Sequence, residues 1–597
     1  MIHRLPSLLL IAVWLLASLA APAWPAGLSN QLRGHASPYL ALHGGDPVAW
    51  QEWNAGTLTR ARREHKLLFV SVGYFSCHWC HVMQRESYRD PAMAALLNRY
   101  FIPVKVDREL NGALDAALIG FAHRMTGVAG WPLNVFVTPE GYPGYVVLYQ
   151  PPAEFRAMLK RMAAVWQRDG EAFSRAARAA GEVPAEAPAL ATVTAGALGE
   201  LEQAFLAAAW READTLQGGF ERVSKFPMPT HLASLLAIYR RDREPRLGEF
   251  LRFTLDRMAG QGLHDHVNGG FFRYTVDPDW STPHFEKMLY DNAQLALLYH
   301  CAAEVFGQPE YRAVAQRTLG FMLDALRGPE GGFQTATSAL DRRGREGGAY
   351  LWSAEALRAR LSGAEFELAQ RVWGLAAPAP FELGYLPMEK QAPTVSERAR
   401  LRIMLDKLRQ ADRLREVPRD GKINAGLNGL ALSALSIAGR GVPRFEAAAR
   451  ALRAYVGARL FADGRLLKTR VGQRVVADAE LDDYVFLAAG LNDYAQVYRD
   501  SGAGVLARDL VRQAWRRFFS AAGWQREERP LLASQRPQAA LADGAMPAAP
   551  SRLVALTEAL AASGLGRELA GPLGQARAMA LPVMRRAPFD YPGGLRP

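Results

Sequence analysis

The sequence predicts an α/β domain at the beginning of the chain, followed by a larger all-α domain. Early in the chain, a strand-like apolar run from Lys66 to Tyr74 leads directly to two cysteines, Cys77 and Cys80, and a helix-like stretch. Farther along, a Gly-Gly-Phe sequence occurs three times, with two helical stretches in each interval. With 597 residues, of which 49% are hydrophobic and 22% charged, the chain is typical of a globular protein that needs more than one core.

Residues 1–26 are typical of an export signal. Arg4 precedes an apolar run of 14 residues from Leu8 to Ala21, and the run ends in the small-residue sequence Ala21-Pro22-Ala23. Such a run is short for a transmembrane helix, which needs about 20 residues. We therefore expect cleavage after Ala23 and a mature protein that is periplasmic or secreted, with an uncleaved N-terminal anchor as the alternative.

The two cysteines belong to the sequence Cys77-His78-Trp79-Cys80-His81, at the expected start of a helix. The unpaired N–H groups and the dipole at a helix N-terminus favour a thiolate and lower a thiol pKa from about 8.5 to roughly 3.5–7.5. Cys77 is therefore the predicted nucleophile and Cys80 the resolving thiol. A protonated His78 would stabilise the reduced thiolate further and make the pair more oxidising.

Two features after the motif complete a thioredoxin-like pattern. Phe101 to Asp107 is a second apolar strand, and Trp131-Pro132 stands directly before a third, Leu133 to Gly141. We expect Pro132 to be the cis-proline that faces the cysteines in such sites, because an X-Pro bond is the only kind with an appreciable cis population. Trp79 and Pro132 would shape the surface on which a partner docks. The thioredoxin-like domain is predicted over residues 27–170.

The same motif permits two other interpretations. Cys-x-x-Cys-His is also the attachment sequence of a c-type haem, with His81 as the axial ligand, and a cysteine pair can be structural or bind a metal. The strand before Cys77 favours the redox site. The third cysteine, Cys301, ends an apolar helical run that begins at Leu295, and it is expected to be buried and inert. A redox-active Cys77–Cys80 disulfide is thus the one disulfide predicted, with no other cofactor.

The rest of the chain has the pattern of helical hairpins. An Ala-, Pro- and Glu-rich linker is predicted over residues 171–194, and the Gly-Gly-Phe turns follow at Gly218, Gly269 and Gly331, spaced by 51 and 62 residues. About six hairpins fit between residues 195 and 597. The net charge of +12 comes from arginines scattered over helical stretches, without a basic stripe, which argues against nucleic-acid binding.

The densest polar cluster of the helical region lies in and after the second Gly-Gly-Phe turn. It consists of His264, His266, Asp277, Trp280, His284, Glu286 and Tyr290. Thr282-Pro283 is typical of a helix start, which would put Glu286 and Tyr290 on one helix face and pair Lys287 with Asp291. The alternative is a buried hydrogen-bond network that fixes the turn. No metal site is predicted, because His-x-His with a distant third histidine is not specific.

These residues carry a resemblance, throughout the chain, to a family with an N-terminal thioredoxin-like domain and a C-terminal domain like the six-hairpin glycosidases, often labelled spermatogenesis-associated-protein-like. The matching motifs include Ser37-Pro38-Tyr39-Leu40, Cys77 to Met83, Lys105 to Glu109, Gly130 to Leu133, Lys225-Phe226-Pro227 and Pro283 to Asn292. The resemblance implies an α/β thioredoxin-like domain followed by an all-α six-hairpin (α/α) toroid over residues 195–597.

The likeness of such toroids to sugar epimerases and glycosidases implies roles for the polar cluster. His264, His266, His284 and Glu286 would act as general acids or bases, and Trp280 would stack on a sugar ring. A carbohydrate ligand in the central cavity is therefore expected as one possibility, beside recognition of a protein client.

The chain departs from this family at several positions. An Asp-Ala-Asp-Ser run is here Ala339-Leu340-Asp341-Arg342, a second Asp is replaced by Gly421, and the Trp of a Trp-Asn-Gly sequence is replaced by Leu427. Fewer carboxylates at the expected cavity mouth indicate a changed or lost ligand. In the redox half, Ser71 stands where ordinary thioredoxins carry a buried acid, so proton transfer at Cys80 must use water or another group.

The sequence therefore predicts an exported thiol-disulfide oxidoreductase-like protein that uses the Cys77–Cys80 pair, with a toroid that recognises a client or a carbohydrate. One alternative is a carbohydrate-active enzyme, epimerase- or glycosidase-like, with an accessory thioredoxin-like domain. The other is a non-catalytic binding scaffold. The expected partners are thiol or disulfide clients or a carbohydrate, and neither nucleic acid nor, apart from an uncleaved anchor, a membrane.

Overall fold

The computed structural model describes residues 27–182, 189–375, 378–412 and 417–595. The export signal predicted for residues 1–26 lies outside these ranges. Within them, none of the helices combines the length and the apolarity that crossing a bilayer requires.

The first domain is built around a four-stranded sheet. Its helices and strands are, in chain order, α1 (Pro38–Leu42), α2 (Ala55–Glu64), β1 (Leu68–Gly73), α3 (His78–Met83), α4 (Pro91–Tyr100), β2 (Ile102–Asp107), α5 (Gly112–Thr126), β3 (Leu133–Val137), β4 (Pro143–Val147) and α6 (Pro152–Gly181). The strand order is β2-β1-β3-β4, with β1 parallel to β2 and antiparallel to β3. The predicted α/β thioredoxin-like fold is confirmed.

Strand β1 lies inside the sheet, and the cysteine motif follows its carboxyl end. All six of its residues are buried. Phe69 packs on one face against Phe155 of α6, with ring centroids 5.9 Å apart, whereas Val70 and Val72 pack on the other face in a cluster that includes Leu118 of α5. This alternation follows from the two-residue period of a strand. Because both faces are covered, the loop that leads to Cys77 starts from a rigid core.

The second domain is helical, with short strands between the helices. Its elements are α7 (Ala195–Glu212), α8 (Pro229–Asp242), α9 (Pro245–Gly260), β5 (Lys287–Met288), α10 (Leu289–Phe306), α11 (Pro309–Phe321), β6 (Ala336–Thr337), α12 (Ala354–Arg358), α13 (Gly363–Val372), α14 (Val395–Asp412), β7 (Arg419–Asp420), β8 (Ile423–Asn424), α15 (Ala425–Ile437), α16 (Pro443–Arg459), β9 (Phe461–Ala462), β10 (Arg465–Val471), β11 (Arg474–Asp478), α17 (Leu481–Tyr498), α18 (Ser501–Phe518), β12 (Phe519–Ser520), β13 (Gly523–Trp524), α19 (Ala549–Ala559), α20 (Leu565–Glu568) and α21 (Ala570–Arg586).

The helices form a closed ring. Helices α8, α10, α15, α17 and α19 pack side by side as the inner layer, and the 3₁₀ turn Pro592–Leu595 lies between α19 and α8. Outer helices α9, α11, α16, α18 and α21 each pack on an inner one. The predicted all-α toroid of helical hairpins is therefore confirmed, with the 3₁₀ turn in the place of a sixth inner helix.

The repeated Gly-Gly-Phe turns share a local structure, as the repeat predicts. In the second turn, the side-chain oxygen of Asn292 accepts a hydrogen bond from the Phe271 N–H at 2.7 Å, and in the third turn Asn428 accepts one from the Phe333 N–H at 2.7 Å. Gly270 has a φ of 75°, and a Cβ there would collide with a neighbouring ring. The second and third turns are thus each fixed to the inner helix that follows them.

A short sheet with the order β5-β6-β7 lies at the end of the toroid that contacts the first domain. Lys422, two residues after β7, is fully buried beside Asp107, the last residue of β2. Its ammonium group also lies 3.0 Å from Glu109 and 2.9 Å from Asp420. A buried cation with carboxylates from both domains holds the two domains together at this point.

Three local predictions were wrong or need adjustment. Helix α6 continues to Gly181, so the first part of the predicted linker, residues 171–181, is helical. Cys301 is exposed rather than buried, since α10 is apolar on nearly every side and its periodicity does not reveal which side faces outward.

The third concerns the predicted helix start at Thr282-Pro283. Pro283 instead forms a β-bridge with Thr275, and α10 begins only at Leu289. Glu286 and Tyr290 therefore do not share a helix face. Lys287 lies in β5 and pairs with Asp265 at 2.6 Å, not with Asp291.

Candidate active site

Cys77 and Cys80 form a disulfide at the start of α3. Cys77 is the N-cap residue of this helix, and its sulfur accepts a hydrogen bond from the Cys80 N–H at 3.2 Å. The same N–H group would stabilise negative charge on the sulfur after reduction. Both cysteines are nearly inaccessible, with 3% and 1% of their surfaces exposed.

The aromatic residues predicted to shape the docking surface differ in exposure. Trp79 is 40% exposed, and its ring centroid lies 5.0 Å from that of Tyr149. The Trp131-Pro132 peptide bond is cis, as predicted. The indole N–H of Trp131 donates to Asp115 at 2.8 Å, which fixes the residue before the proline. Trp79 is therefore the member of the motif that a partner can contact.

His78, inside the motif, reaches the toroid. Its Nδ1 lies 3.3 Å from Glu346, and the same carboxylate lies 2.5 Å from Nδ1 of His284. The two imidazole rings stack, with centroids 5.4 Å apart. Burial lowers the pKa of His78, against the opposing effect of Glu346. At neutral pH, the uncharged imidazole is thus favoured, so the cationic role predicted for His78 is weakened.

Ser76, the residue directly before Cys77, also contacts the toroid. The Ser76 hydroxyl donates to Glu286 at 3.4 Å and lies 3.2 Å from the sulfur of Met288. The Ser76 carbonyl accepts a hydrogen bond from the Ala339 N–H at 3.4 Å. The loop before Cys77 is therefore held against the end of the toroid, next to Glu286 of the predicted polar cluster.

Two arginines, one from each domain, complete the contact. Arg273 of the toroid donates to the Tyr74 hydroxyl and lies 3.6 Å from Glu286. The guanidinium groups of Arg273 and Arg108 lie 5.2 and 4.1 Å from the ring centroid of Trp131. The loop that carries the cis-proline is thus held by cation–π contacts from both domains.

Buried carboxyl groups lie beside these arginines. Burial raises the pKa of Glu286, although Arg273 opposes this, and burial raises the pKa of Asp291 to about 7. Neither the Tyr290 hydroxyl nor Oδ2 of Asp291 has a hydrogen-bond partner in the described part of the chain. With a pKa of about 7, Asp291 can hold or release a proton near neutral pH.

The remaining predicted toroid residues have structural surroundings. His264 is fully buried, and His266 Nε2 lies 3.2 Å from the Gln261 carbonyl oxygen. Asp277 accepts a hydrogen bond from the Ser281 N–H at 2.8 Å and fixes that turn. The structure brings His284, Glu286 and Tyr290 to the end of the toroid that faces the first domain. His264, His266 and Asp277 instead have the structural surroundings given above.

Trp280 corrects the prediction of a sugar-stacking residue. It is fully buried, and its indole N–H donates to the Gln217 carbonyl oxygen at 2.9 Å. Its φ of 68° is unusual for a bulky side chain and indicates that its surroundings hold it in place. The ring therefore has no free face on which a sugar could stack.

Beneath the disulfide, Ser71 belongs to a buried polar group. Its hydroxyl lies 2.9 Å from the Tyr88 hydroxyl and accepts a hydrogen bond from Lys105 at 2.9 Å. Burial lowers the pKa of Lys105 to about 7. Where ordinary thioredoxins carry a buried acid, this chain therefore has the Ser71 hydroxyl with the buried amine of Lys105 beside it.

The surroundings of the motif can be compared with its two other interpretations, c-type haem attachment and a structural or metal-binding cysteine pair. The cysteine sulfurs are bonded to each other, and Nε2 of His81 lies 2.7 Å from the Phe75 carbonyl oxygen rather than at an open ligand position. In the described ranges, His, Cys, Asp and Glu side chains do not gather in threes as metal ligands. The two sulfurs are thus joined to each other, and the ring nitrogen Nε2 of His81 faces a backbone carbonyl.

Sequence reasoning missed three residues of the site: Glu346, Arg273 and Lys422. The residues that Arg273 and Lys422 contact in the first domain are 199 and 315 positions away along the chain. For Glu346, no local pattern distinguishes it from other acidic residues in polar loops, so its role emerges only from the fold.

Comparisons with known proteins agree with this architecture. Residues 29–183 match the family model Thioredox_DsbH, described as a protein of unknown function, DUF255. Spermatogenesis-associated protein 20 of Homo sapiens is 34% identical over 355 residues, which are 55% of this chain and 44% of that protein. The match thus spans less than half the length of this relative.

Two solved structures are also similar. A D-mannose isomerase is 9% identical, with a TM-score of 0.44, and the match covers 65% of this chain and 85% of that chain. A DsbH oxidoreductase is 19% identical, with a TM-score of 0.17 and coverage of 20% and 85%. The chain is thus similar to the Thioredox_DsbH family model over residues 29–183 and, over about half its length, to spermatogenesis-associated protein 20.

Proposed function

We propose that this protein is a thiol-disulfide oxidoreductase in which Cys77 and Cys80 are the exchanging pair and the toroid controls access to them. The observation that carries the proposal is the Cys77–Cys80 disulfide at a helix start, held against the end of the toroid through His78 and Ser76. A purely structural disulfide would not need a sulfur that accepts a helix N–H or a motif histidine shared with another domain.

The exchange proceeds in two steps. The Cys77 thiolate attacks one sulfur of a client disulfide, which forms a mixed disulfide and releases the other client sulfur as a thiolate that takes up a proton. Cys80 then attacks the Cys77 sulfur, restores the intramolecular disulfide and releases the client's second sulfur. The client gains two electrons and two protons, which the cysteine pair loses. A small-molecule thiol returns the pair to its reduced form.

The geometry restricts the client. Because both cysteines are almost fully buried and Glu346 covers His78, a folded protein surface cannot reach the sulfurs directly. A small disulfide, or an extended segment that crosses Trp79, fits this approach better. We propose that the reaction takes place outside the cytoplasm, because the predicted signal leads to a compartment in which disulfides persist.

The test uses the full-length chain with Cys301→Ser as the background, so that Cys77 and Cys80 are its only cysteines. We expect this background to catalyse insulin or glutathione-disulfide reduction and Cys77→Ser to abolish it. Cys80→Ser should accumulate a mixed disulfide, which is detected by intact mass. Full activity in the Cys77→Ser variant would contradict the proposal.

A carbohydrate-active toroid is the second candidate. It is favoured by Asp291, whose pKa burial raises to about 7, a value that suits proton transfer at neutral pH, and by the buried Glu286 beside Arg273, whose pKa burial also raises. In this case, sugar epimerisation, glycoside hydrolysis or sugar binding would be lost in Glu286→Gln and His284→Ala but kept in Cys77→Ser. If neither the cysteine nor the toroid variants alter any activity or binding, the protein is a scaffold.

A further inference from the structure

The surroundings of the resolving cysteine contain a hydroxyl that the exchange described above does not use. A Cβ added to Gly73 would lie 2.8 Å from the Cys80 sulfur and would also collide with the Tyr39 hydroxyl oxygen. The sulfur and the hydroxyl therefore border the same small space at the end of β1. Only a glycine at position 73 leaves that space open.

The Tyr39 hydroxyl is buried and has no hydrogen-bond partner among the residues that the structure describes. An unpaired buried hydroxyl costs about 1–3 kcal/mol, and a redox role is one of the explanations for such a group. The neighbour that changes state here is Cys80. In the disulfide, its sulfur is tied to Cys77, and after reduction it is free to accept a hydrogen bond.

Several titratable groups face this tyrosine from the elements packed around it. They are Lys105 on β2, Tyr88 at the end of the π-helical turn Gln84–Tyr88, Asp107 at the end of β2, and His43 and Asp46 after α1. Burial raises the pKa of Tyr39 well above its usual value, so the hydroxyl keeps its proton. Lys105 lies 5.4 Å from the Tyr39 ring and 4.7 Å from the Tyr88 ring.

We propose that the Tyr39 hydroxyl donates a hydrogen bond to the Cys80 sulfur in the reduced protein and so stabilises the Cys80 thiolate, in a site where Ser71 stands at the position of the buried acid of ordinary thioredoxins. This inference rests on the proposed thiol-disulfide function. Reduction of the pair by two glutathione molecules gives two protein thiols and one glutathione disulfide, so two electrons and two protons enter the protein. The tyrosine stabilises the reduced product and, most strongly, the Cys80 thiolate.

The test compares Tyr39→Phe with Tyr88→Phe in the Cys301→Ser full-length chain. Tyr88 is the matched control because it is also buried and also faces Lys105, but its hydroxyl is already bound to Ser71 and Asn134. The equilibrium with glutathione is measured from pH 6 to 9. We expect Tyr39→Phe to favour the disulfide about tenfold, which is ~30 mV for a two-electron couple, and Tyr88→Phe to change it less than twofold.

The pH dependence gives an independent reading. A lost hydrogen bond raises the pKa of the Cys80 thiol, so the curve for Tyr39→Phe bends at a higher pH than that of the background protein. Equal equilibria for the two tyrosine variants and the background would overturn the inference while leaving the proposed function intact. A pair that does not equilibrate with glutathione at all would overturn both.

If Tyr39→Phe fails to fold, the reduced unmodified chain decides the question. Its crystal structure should show the Tyr39 hydroxyl within hydrogen-bonding distance of the Cys80 sulfur. A reduced structure in which the hydroxyl points elsewhere would overturn the inference.

Discussion

Replacing Lys422 by methionine should loosen the contact between the two domains. Lys422 and its partners Asp107 and Asp420 are fully buried, and Glu109 nearly so. Lys422→Met keeps most of the side-chain volume but removes the charge. Carboxylates from both domains are then left together without their cation.

The expected cost follows from the burial. Removing one partner of a buried, hydrogen-bonded ion pair costs about 3–5 kcal/mol, because the remaining charge stays desolvated. The loss should be smaller at pH 5 than at pH 8. Burial already raises the pKa of Asp420 to about 7, and its protonation at low pH removes part of the repulsion.

Denaturant unfolding of the full-length chain measures this loss, and the rate of reduction by a water-soluble phosphine measures access to the disulfide. We expect Lys422→Met to lower the free energy of unfolding by about 3–5 kcal/mol and to speed up reduction. The control is Lys407→Met, which removes a partly exposed pair with Glu365 and should cost at most about 1 kcal/mol. Equal stability losses for the two variants would refute the reasoning.

Three further predictions concern the site and its surroundings. Gly73→Ala should destabilise the protein by about 1–3 kcal/mol through overpacking, as measured by denaturant unfolding, whereas Gly45→Ala, which meets nothing within 4 Å, should not. Glu346→Gln should lower the pKa of His78 in an NMR titration, since the carboxylate favours the protonated imidazole; an unchanged or higher pKa would contradict the contact. In the oxidised native chain, a maleimide should label Cys301 alone, and a protein that takes up no label would contradict its exposure.

The sequence predicted the parts of the fold that depend on local pattern. The strand before Cys77 and the one that starts near Phe101 are apolar runs of β-branched and aromatic residues, and both are strands. The cis bond at Trp131-Pro132 was expected from its place in the motif. The Gly-Gly-Phe repeat predicted the hairpins, because a turn with positive φ values needs glycine.

Local pattern failed where tertiary pairing decided the outcome. Thr282-Pro283 has the composition of a helix start, but Pro283 pairs with Thr275 in an extended segment instead. Cys301 lies on a helix that is apolar nearly all round, so hydrophobic periodicity did not separate its outer side from its inner one. Trp280 has the aromatic side chain that sugar stacking requires, but the fold buries it completely.

The contacts between the two domains were the part of the structure that the sequence predicted least. Glu346 lies in a polar loop of the toroid and contacts His78, which is far away in sequence. The sequence identified His78 and His284 as members of two separate sites. Only the fold brings both histidines to the Glu346 carboxylate. The residues around each histidine give no information about contacts with the other domain.

The reduction potential of the Cys77–Cys80 pair tests the central claim most directly. It is measured in the full-length Cys301→Ser chain by equilibration with glutathione, with mass spectrometry to count the thiols. An exchanging pair predicts one two-electron transition between about −120 and −270 mV, the range of catalytic dithiols. A potential below about −300 mV, or a pair that never reduces in the folded chain, would identify a structural disulfide and contradict the account.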